Sequence, residues 1–278
     1  MKLNSWSKWI QPTESATMMP ALFLGHGSPM NAIEENEFVR GFREVAGKLP
    51  APRAILCVSA HWETRGTWVT AMDQPRTIHD FGGFPEALYQ VQYKAPGSPE
   101  FATLTRDLVK STEIGMDHHW GLDHGSWSVI KHLYPEANVP VFQLSLDRGG
   151  DTTFHYELGK ELKALRKRGI LVIGSGNMVH NLRMVAWNRM QETFAFDWAA
   201  EADHFIKEGI RNQQHASLID YSKAGKALQL AIPTPEHFLP LLYVLAMQDD
   251  NDQLTFFNDK PVAGSLTMTS LLLENTKR

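Results

Sequence analysis

Short runs of aliphatic and β-branched residues alternate along this chain with longer amphipathic stretches. Strand-like runs lie at residues 21–24, 54–58, 139–144 and 170–173, with further candidates at 67–72, 254–257 and 266–268. Helical patterns lie at residues 34–48, 99–110, 154–168, 196–211 and 235–247. This alternation predicts an α/β fold with a mostly parallel or mixed central sheet. Because the first strand-like runs are apolar on both faces, we expect helices on both faces of the sheet.

The chain shows no sign of division into separate domains. No Ser/Gly-rich, Pro-rich or charged linker interrupts the 278 residues, and no internal repeat is visible. A single domain is therefore predicted. Residues 74–96 and 213–234 carry little periodicity and are predicted to form long loops, which in compact domains are often functional.

The charge balance argues against a nucleic-acid partner. There are 27 Lys and Arg residues against 31 Asp and Glu residues, which gives a formal net charge of −4. The densest basic stretch, residues 160–168, has the periodicity of an amphipathic helix and predicts a solvated face. The acidic run at residues 248–252 is likewise predicted to be solvated surface.

The lone cysteine and the apolar stretches indicate a cytoplasmic protein without a membrane partner. Cys57 excludes an intrachain disulfide, and its apolar surroundings predict a buried, inert thiol in a reducing compartment. Residues 1–18 lack the apolar core of a signal peptide. The apolar stretch at residues 239–247 is far shorter than the ~18 residues that span a bilayer. A monomer and a small homo-oligomer are both compatible with the sequence.

Histidines follow three of the predicted strands. His26 follows the first strand between two glycines, His61 follows the second, and His180 follows the strand at 170–173 after a glycine-rich turn. A fourth, His237, lies in a Pro-Thr-Pro-Glu-His segment. Ligands of open α/β sheets bind outside the carboxyl ends of the strands, so these imidazoles are expected to converge there. Imidazole ligands favour a transition-metal ion, although any single histidine could instead be a hydrogen-bonded structural residue.

Two further histidines lie in segments that combine glycine with aromatic residues. Residues 77–85 contain His79 and Phe81, and residues 121–127 contain His124; both segments are interpreted as loops. Aromatic rings can stack on an aromatic substrate, and imidazole can move a phenol proton near neutral pH. The residues alone equally allow a structural role, in which the rings belong to the core and the histidines cap turns.

Six strings in this sequence, taken together, resemble one enzyme family. They are PALFLGHGSPM at 20–30, VSAHW at 58–62, IHDFGGFP at 78–85, GLDHGSW at 121–127, GNMVHNL at 176–182 and PTPEHFLPLLYV at 233–244. In this order they resemble the class III extradiol (LigB-type) ring-cleaving dioxygenases, and among these the bacterial 4,5-DOPA extradiol dioxygenases. The resemblance covers residues 19–272; residues 1–18 are expected to be an extension outside the domain, which would span residues 19–278.

The resemblance implies a site with one non-haem divalent metal, Zn²⁺ or Fe²⁺. It implies that His26, His61 and His237 are metal ligands, and that His180 is either a further ligand or the acid–base residue. His124, and with it His79 and Phe81, would line the substrate site. Many LigB-type enzymes use two histidines and a glutamate, so Glu236 is an alternative to its neighbour His237. Adjacent helical residues point ~100° apart, so one ion is not expected to take both.

The implied activity is the opening of a catechol such as L-DOPA at the 4,5 bond with O₂. His180 or His124 would accept a proton from the catechol. Zinc has no redox chemistry, so iron would be needed for the oxygen step. A zinc-dependent hydrolase and a non-catalytic metal-binding protein of the same fold are the alternatives. The glycine-rich turns lack the spacing of a P-loop or of a G-x-S-x-G serine nucleophile.

Overall fold

A computed structural model describes residues 18–190 and 192–276 of the chain. The predicted extension at residues 1–18 lies outside the described residues except for Met18. The strands are β1 (Ala21–Gly25), β2 (Ala54–Thr64), β3 (Thr67–Thr70), β4 (Ile114–Asp117), β5 (Val141–Asp147), β6 (Ile170–Gly176), β7 (Asp252–Phe257), β8 (Pro261–Val262), β9 (Leu266–Thr267) and β10 (Ser270–Asn275). The helices are α1 (Glu37–Ala46), α2 (Glu86–Tyr89), α3 (Pro99–Leu108), α4 (His124–Leu133), α5 (Thr152–Leu162), α6 (Asp197–Arg211), α7 (His215–Ile219), α8 (Lys226–Ala231) and α9 (Leu239–Ala246).

Within the described residues, one mixed sheet contains eight strands in the order β4-β3-β5-β2-β6-β1-β10-β7. Its centre is parallel, because β2 pairs in parallel with β5 and β6, and β6 pairs in parallel with β1. Antiparallel pairing of β10 with β1 and β7 extends one side. The carboxyl ends of β1 and β6 therefore lie side by side, level with Ser59 inside β2. The predicted α/β fold with a mixed sheet is confirmed.

Helices cover both faces of the sheet, as the two-sided apolar strands predict. Along β1, Ala21 and Phe23 face the core under α3, α5, α6 and α9, whereas Leu22 and Leu24 face the core under α1 and α4. Each buried large apolar side chain stabilises the fold by roughly 1.5–3 kcal/mol relative to exposure. Cys57 lies in the second of these cores, fully buried, as predicted. Among the described residues, no helix has both the length and the apolar character needed to cross a bilayer.

Most predicted elements are present with shifted ends, and the differences have local causes. Helix α4 was not predicted because nine of its ten residues are buried, so its sequence has almost no polar face. The segment 213–234 is not one long loop, since it contains α7 and α8. The strand predicted at 266–268 is the short β9, which pairs with β8 in a separate two-stranded sheet.

The basic stretch at 160–168 and the acidic run at 248–252 are not wholly solvated, which corrects the sequence prediction. Helix α5 ends at Leu162, and in the 3-10 turn that follows, the Arg166 side chain is fully buried. It forms a bidentate ion pair with Asp252, with N–O distances of 2.6 and 2.9 Å. Its remaining donors bond the carbonyl oxygens of Met19 and Met247. This guanidinium links the start of β1, the end of α9 and β7.

Removing Arg166 should strongly destabilise the fold, because it leaves the Asp252 carboxylate buried without a counter-charge. We expect Arg166→Leu to lower the free energy of unfolding by about 3–5 kcal/mol, measured by urea denaturation. Lys160→Ala is the control, since Lys160 forms an exposed pair with Glu157 and should change stability by less than about 1 kcal/mol. Equal stability of the two variants would contradict the structural role of Arg166.

His155 should make stability depend on pH. Its ring nitrogens contact the hydroxyl of Tyr243 and the carbonyl oxygen of Asp147 between α5 and α9, and burial lowers its pKa to about 4. The unfolded chain binds this proton near pH 6.5, so unfolding should become easier as the pH falls from about 6.5 to about 4. This contribution, on the order of 3 kcal/mol, is fully present above that range. Urea denaturation of His155→Gln should show a weaker dependence than the parent; an unchanged slope would refute the assignment.

Candidate metal centre and active site

His26, His61, His180 and His237 lie close together at one end of the sheet. His26 comes directly after β1, and His180 comes four residues after the end of β6, its parallel neighbour. His61 lies inside β2 rather than after it. The pairing of β2 with β5 shifts register between Val58 and Glu63, and His61 occupies this irregular stretch. The departure from regular pairing lets the His61 ring face the strand ends.

His237 reaches the cluster from the turn before α9, and a glycine makes that approach possible. A Cβ atom at Gly176 would lie 2.1 Å from the carbonyl oxygen of His237, so no side chain fits there. The next amide, of Asn177, donates to that same carbonyl oxygen at 2.9 Å. Because the last residues of β6 bind the turn directly, the position of His237 is fixed relative to the strand ends.

The imidazoles of His26, His61 and His237 form a group able to hold a metal ion. One ring nitrogen from each lies within 4.8 Å of the others, and the Nε2 atoms of His26 and His61 are 3.1 Å apart. Two nitrogens bound to one ion at about 2.0–2.1 Å lie about 3.0–3.4 Å apart. His26 is 1% exposed and His237 8% exposed. Nitrogen donors at this spacing fit a transition-metal ion.

Two histidines of this cluster, His26 and His61, are uncharged at neutral pH, as metal ligands must be. Burial, and then the neighbouring imidazoles His61, His237, His124 and His180, hold the pKa of His26 well below its ordinary value. The pKa of His61 is lowered by the same two effects, burial first. The free imidazoles therefore offer lone pairs without first losing a proton.

Outer partners set which ring nitrogen faces the centre. Nδ1 of His26 donates to the hydroxyl oxygen of Ser175 at 3.0 Å, while that hydroxyl donates its own proton to the carbonyl oxygen of Gly125. Nδ1 of His237 bonds Glu236 Oε1 at 3.1 Å. In both residues Nε2 is left without a proton, available as a ligand. Burial raises the pKa of Glu236, but hydrogen bonds, first from His237, outweigh it and bring the pKa to about 2.

The His180 ring stacks face to face on the His237 ring. The two rings are stacked, with centroids 3.6 Å apart and planes inclined by 9°. Burial and, secondarily, the neighbouring His237 lower the pKa of His180 to about 3. A neutral imidazole at this position can accept a proton from a ligand in the site.

His124 is the first residue of α4, so segment 121–127 is not the loop that the sequence suggested. Its ring centroid lies 3.8 Å from that of His61 and 5.8 Å from that of His26. Asp80 bonds both the backbone amide and Nδ1 of His124, at 2.8 and 2.9 Å. Burial raises the pKa of Asp80, but the hydrogen bonds with His124 outweigh it and leave the pKa below its ordinary value.

A buried polar network attaches the start of α4 to the sheet. The carboxylate of Asp123 accepts from the Ser59 hydroxyl at 2.7 Å and from the Gln143 amide at 2.7 Å, and it caps the helix at the amide of Ser126. Burial and the nearby Asp80 raise the pKa of Asp123. Because Ser59 lies on β2 and Gln143 on β5, the network fixes α4 against the strands that carry the site.

Aromatic rings form a wall beside His124. The Phe81 ring meets the His124 ring edge-on, with centroids 5.5 Å apart. His79 lies one ring further out: its ring contacts Phe81, Tyr89 and Trp127, and its Nε2 bonds the carbonyl oxygen of Val91 at 3.0 Å. The wall is therefore continuous from the histidine cluster to residue 79, and its rings can pack against a flat apolar ligand.

Sequence reasoning missed the supporting residues around the histidines. Asp80 lies between His79 and Phe81, and Ser175 lies between two glycines near the end of β6, but neither has a local pattern that predicts its partner. Asp80 bonds a residue 44 positions away, and Ser175 one 149 positions away. Only the folded chain brings them together.

Comparison with known proteins agrees with this geometry. Residues 20–266 match the family described as the catalytic LigB subunit of aromatic ring-opening dioxygenase. The chain is 46% identical to "4,5-DOPA dioxygenase extradiol" of Escherichia coli K12, over 92% of this chain and 95% of that protein. It is 36% identical to the protein of the same name from Beta vulgaris, over 91% and 96% of the two chains. A crystal structure of an uncharacterized Escherichia coli K12 protein superposes with a TM-score of 0.78, at 41% identity, covering 91% of this chain and 99% of that one.

The chain belongs to the LigB family of aromatic ring-opening dioxygenases. It is an enzyme of the extradiol class, as its relatives' names and the family's catalytic subunit indicate. The family implies a non-haem metal, and the histidine cluster has the donor atoms to hold one.

Substitutions at the cluster should separate ligands from their outer partners. We expect His26→Ala, His61→Ala and His237→Ala each to abolish zinc retention during dialysis, measured as metal per chain. Glu236→Gln should keep the metal with an affinity reduced about 10–100-fold, because it only orients a ligand. His204→Ala, an exposed histidine on α6, is the control. Retention of zinc by His26→Ala at the parent level would rule out this ligand set.

Proposed function

We propose that this enzyme opens the ring of a catechol such as L-DOPA at the 4,5 bond with O₂. The proposal is carried by the cluster of His26, His61 and His237, whose ring nitrogens lie within 4.8 Å of one another. Two further histidines and an aromatic wall adjoin this cluster. The substrate is suggested by the names of the Escherichia coli and Beta vulgaris relatives.

His26, His61 and His237 would hold the metal. Glu236 is assigned to orienting His237, because its oxygen already bonds Nδ1 of that ring. A divalent ion bound there would supply Lewis-acid chemistry and, in the case of Fe²⁺ but not Zn²⁺, the electron transfer that O₂ chemistry needs. Three imidazoles leave further positions open for ligands from solution.

His180 is assigned to proton transfer rather than metal binding. An imidazole binds a metal along a lone pair in the plane of its ring. His180, Glu236 and His237 also offer ligand atoms within 4.8 Å of one another. The stacking of the His180 ring on the His237 ring, with centroids 3.6 Å apart, favours giving the metal to His237 and the proton to His180. His180 therefore keeps its lone pair for a substrate proton, and its lowered pKa keeps it neutral before the transfer.

His124 is the second candidate for holding a substrate proton. Its Nδ1 is occupied by Asp80, so Nε2 is the nitrogen available to a catechol hydroxyl. Phe81 packs edge-on to His124, and His79 extends the same wall. We assign these three residues to binding the aromatic ring of the substrate and to excluding water from it.

The decisive experiment compares two metals in one protein. Protein loaded anaerobically with Fe²⁺ should consume one O₂ per L-DOPA and give a product that has gained both oxygen atoms, measured with an oxygen electrode and mass spectrometry. Zinc-loaded protein should do neither. His180→Ala should retain the metal but lose about 10²–10⁴-fold in kcat.

Other outcomes would identify other functions. Zinc-dependent turnover that needs no O₂ would indicate a hydrolase, which a three-histidine site can also support. Metal binding without turnover of any catechol, with either ion, would indicate a non-catalytic metal-binding protein. Both results would overturn the proposed dioxygenase activity.

A further inference from the structure

We propose that Asp80 is a positioning residue that fixes the ring orientation and the tautomer of His124 for proton transfer with the substrate. This inference rests on the proposed function, since it concerns a residue of the same site. Asp80 is not a metal ligand in the proposed set and does not itself touch the substrate. It acts through His124.

Asp80 contacts His124 at two points. Oδ1 of Asp80 accepts the backbone amide of His124 at 2.8 Å, and Oδ2 faces Nδ1 of the same residue at 2.9 Å. A carboxylate oxygen accepts hydrogen bonds and cannot donate them when ionised. In the neutral form of the His124 ring the proton must therefore lie on Nδ1, which leaves the Nε2 lone pair free. A free Nε2 is what a general base at this position requires.

The second observation is the place of this contact at a helix end. His124 opens α4, and the first amides of a helix have no partner within it. The carboxylate of Asp123 is already engaged by Ser126, Ser59 and Gln143. Asp80 therefore supplies the acceptor that the His124 amide needs, and the positive end of the helix favours a carboxylate there. The side chain of Asp80 is 18% exposed, so water competes weakly for its oxygens.

The third observation is that the His124 ring is confined on its other sides. The ring of His61 lies 3.8 Å away between centroids, and Phe81 meets the ring edge-on at 5.5 Å. With the backbone and Nδ1 held by one carboxylate, rotation of the ring would break the hydrogen bond and collide with a neighbour. Nε2 is thus held in one direction before a substrate arrives.

The same contact attaches the aromatic wall to the site. Asp80 lies between His79 and Phe81 in sequence, and the next two residues, Gly82 and Gly83, have no atoms within 4 Å of where a Cβ would be. That part of the loop has space around it. The carboxylate of Asp80 bonds this loop to the first residue of α4, and a second bond runs from Trp127 Nε1 on α4 to the carbonyl oxygen of Ile78. Asp80 therefore contributes to positioning both the base and the rings beside it.

One neighbouring contact must be separated from this role. Oδ2 of Asp80 also lies 3.7 Å from Nδ1 of His61. At that distance the contact is not a hydrogen bond. If Asp80 mainly oriented His61, its substitution would reduce metal retention. If Asp80 orients His124, its substitution should reduce turnover while the metal stays bound.

The test uses Asp80→Asn, because an amide preserves the shape and one acceptor oxygen but presents an N–H to Nδ1. That change should move the ring proton to Nε2 and abolish the base. In the serine-protease triad, the equivalent change leaves the geometry intact and lowers kcat about 10⁴-fold. For Fe²⁺-loaded Asp80→Asn with L-DOPA we expect a kcat loss of at least about 100-fold, with KM within about threefold of the parent.

A second readout does not depend on turnover. Zinc-loaded protein can bind 4-nitrocatechol without reacting, and the visible absorption of this probe reports how many of its hydroxyl groups are ionised. The parent should shift the bound probe toward its doubly ionised spectrum. Asp80→Asn should bind the probe but shift it less, because His124 can no longer take a proton. Zinc content and the thermal unfolding midpoint should match the parent.

Asp117→Asn is the matched control. Asp117 accepts two backbone amides, of His119 and Trp120, without touching an imidazole. It should leave kcat and the probe spectrum at the parent level, which separates tautomer control from ordinary capping by a carboxylate.

Three results would overturn the proposal. They are a kcat for Asp80→Asn within about threefold of the parent, a loss of activity that parallels a loss of zinc, and an equal loss in the Asp117→Asn control. These are distinct from failure of the proposed function. In that case the parent itself consumes no O₂ with L-DOPA, whereas an active parent with an equally active Asp80→Asn variant rejects the role of Asp80 alone.

Discussion

The parallel pairing of β1, β6 and β2 is the constraint on which the site depends. Gly25 lies opposite Gly176 at the ends of β1 and β6, and Ser59 lies opposite Ser175 on β2 and β6. This register sets the ends of β1 and β6 level with Ser59 inside β2, so the residues that follow these positions lie close together. His26, His61 and His180 are among these residues, and the glycine at position 176 admits His237 as the fourth. A one-residue slip in any of these pairings would turn the side chains to the opposite face.

Placing five imidazoles close together in a buried space disfavours their charged forms. Hydrogen bonds to surrounding residues orient the neutral rings. Charged imidazoles at these distances would repel one another and lose hydration, so the lowered pKa values of His26, His61 and His180 follow directly. Neutral rings have one donor and one acceptor nitrogen. Ser175, Glu236 and Asp80 take the donors of His26, His237 and His124, and the acceptors remain for a metal or a substrate. The hydrogen-bonded partners thus give chemically identical side chains different roles.

Two buried polar networks hold the elements of the sheet and the start of α4 in place. Asp123, Ser59 and Gln143 fix the start of α4 to two strands through buried hydrogen bonds. The opposite end of the sheet is held by the buried pair of Arg166 and Asp252. Both are networks of several buried hydrogen bonds inside an apolar fold. The aromatic loop around Phe81 is attached to α4 by the Asp80 carboxylate, and its rings pack edge-on beside the site.

The sequence by itself determined the α/β class, the two-sided core and the histidines that follow strands, because apolar periodicity and residue type are local properties. It did not reveal α4, whose residues are almost all buried and lack a periodic polar face. Nor did it reveal the burial of Arg166, which looks solvated in its own helix and is buried only because β7 supplies Asp252. The pairing of Asp80 with His124 was decided by tertiary structure alone. Hydrogen bonds between residues far apart in the chain depend on where the strands and helices pack, and no local pattern encodes that.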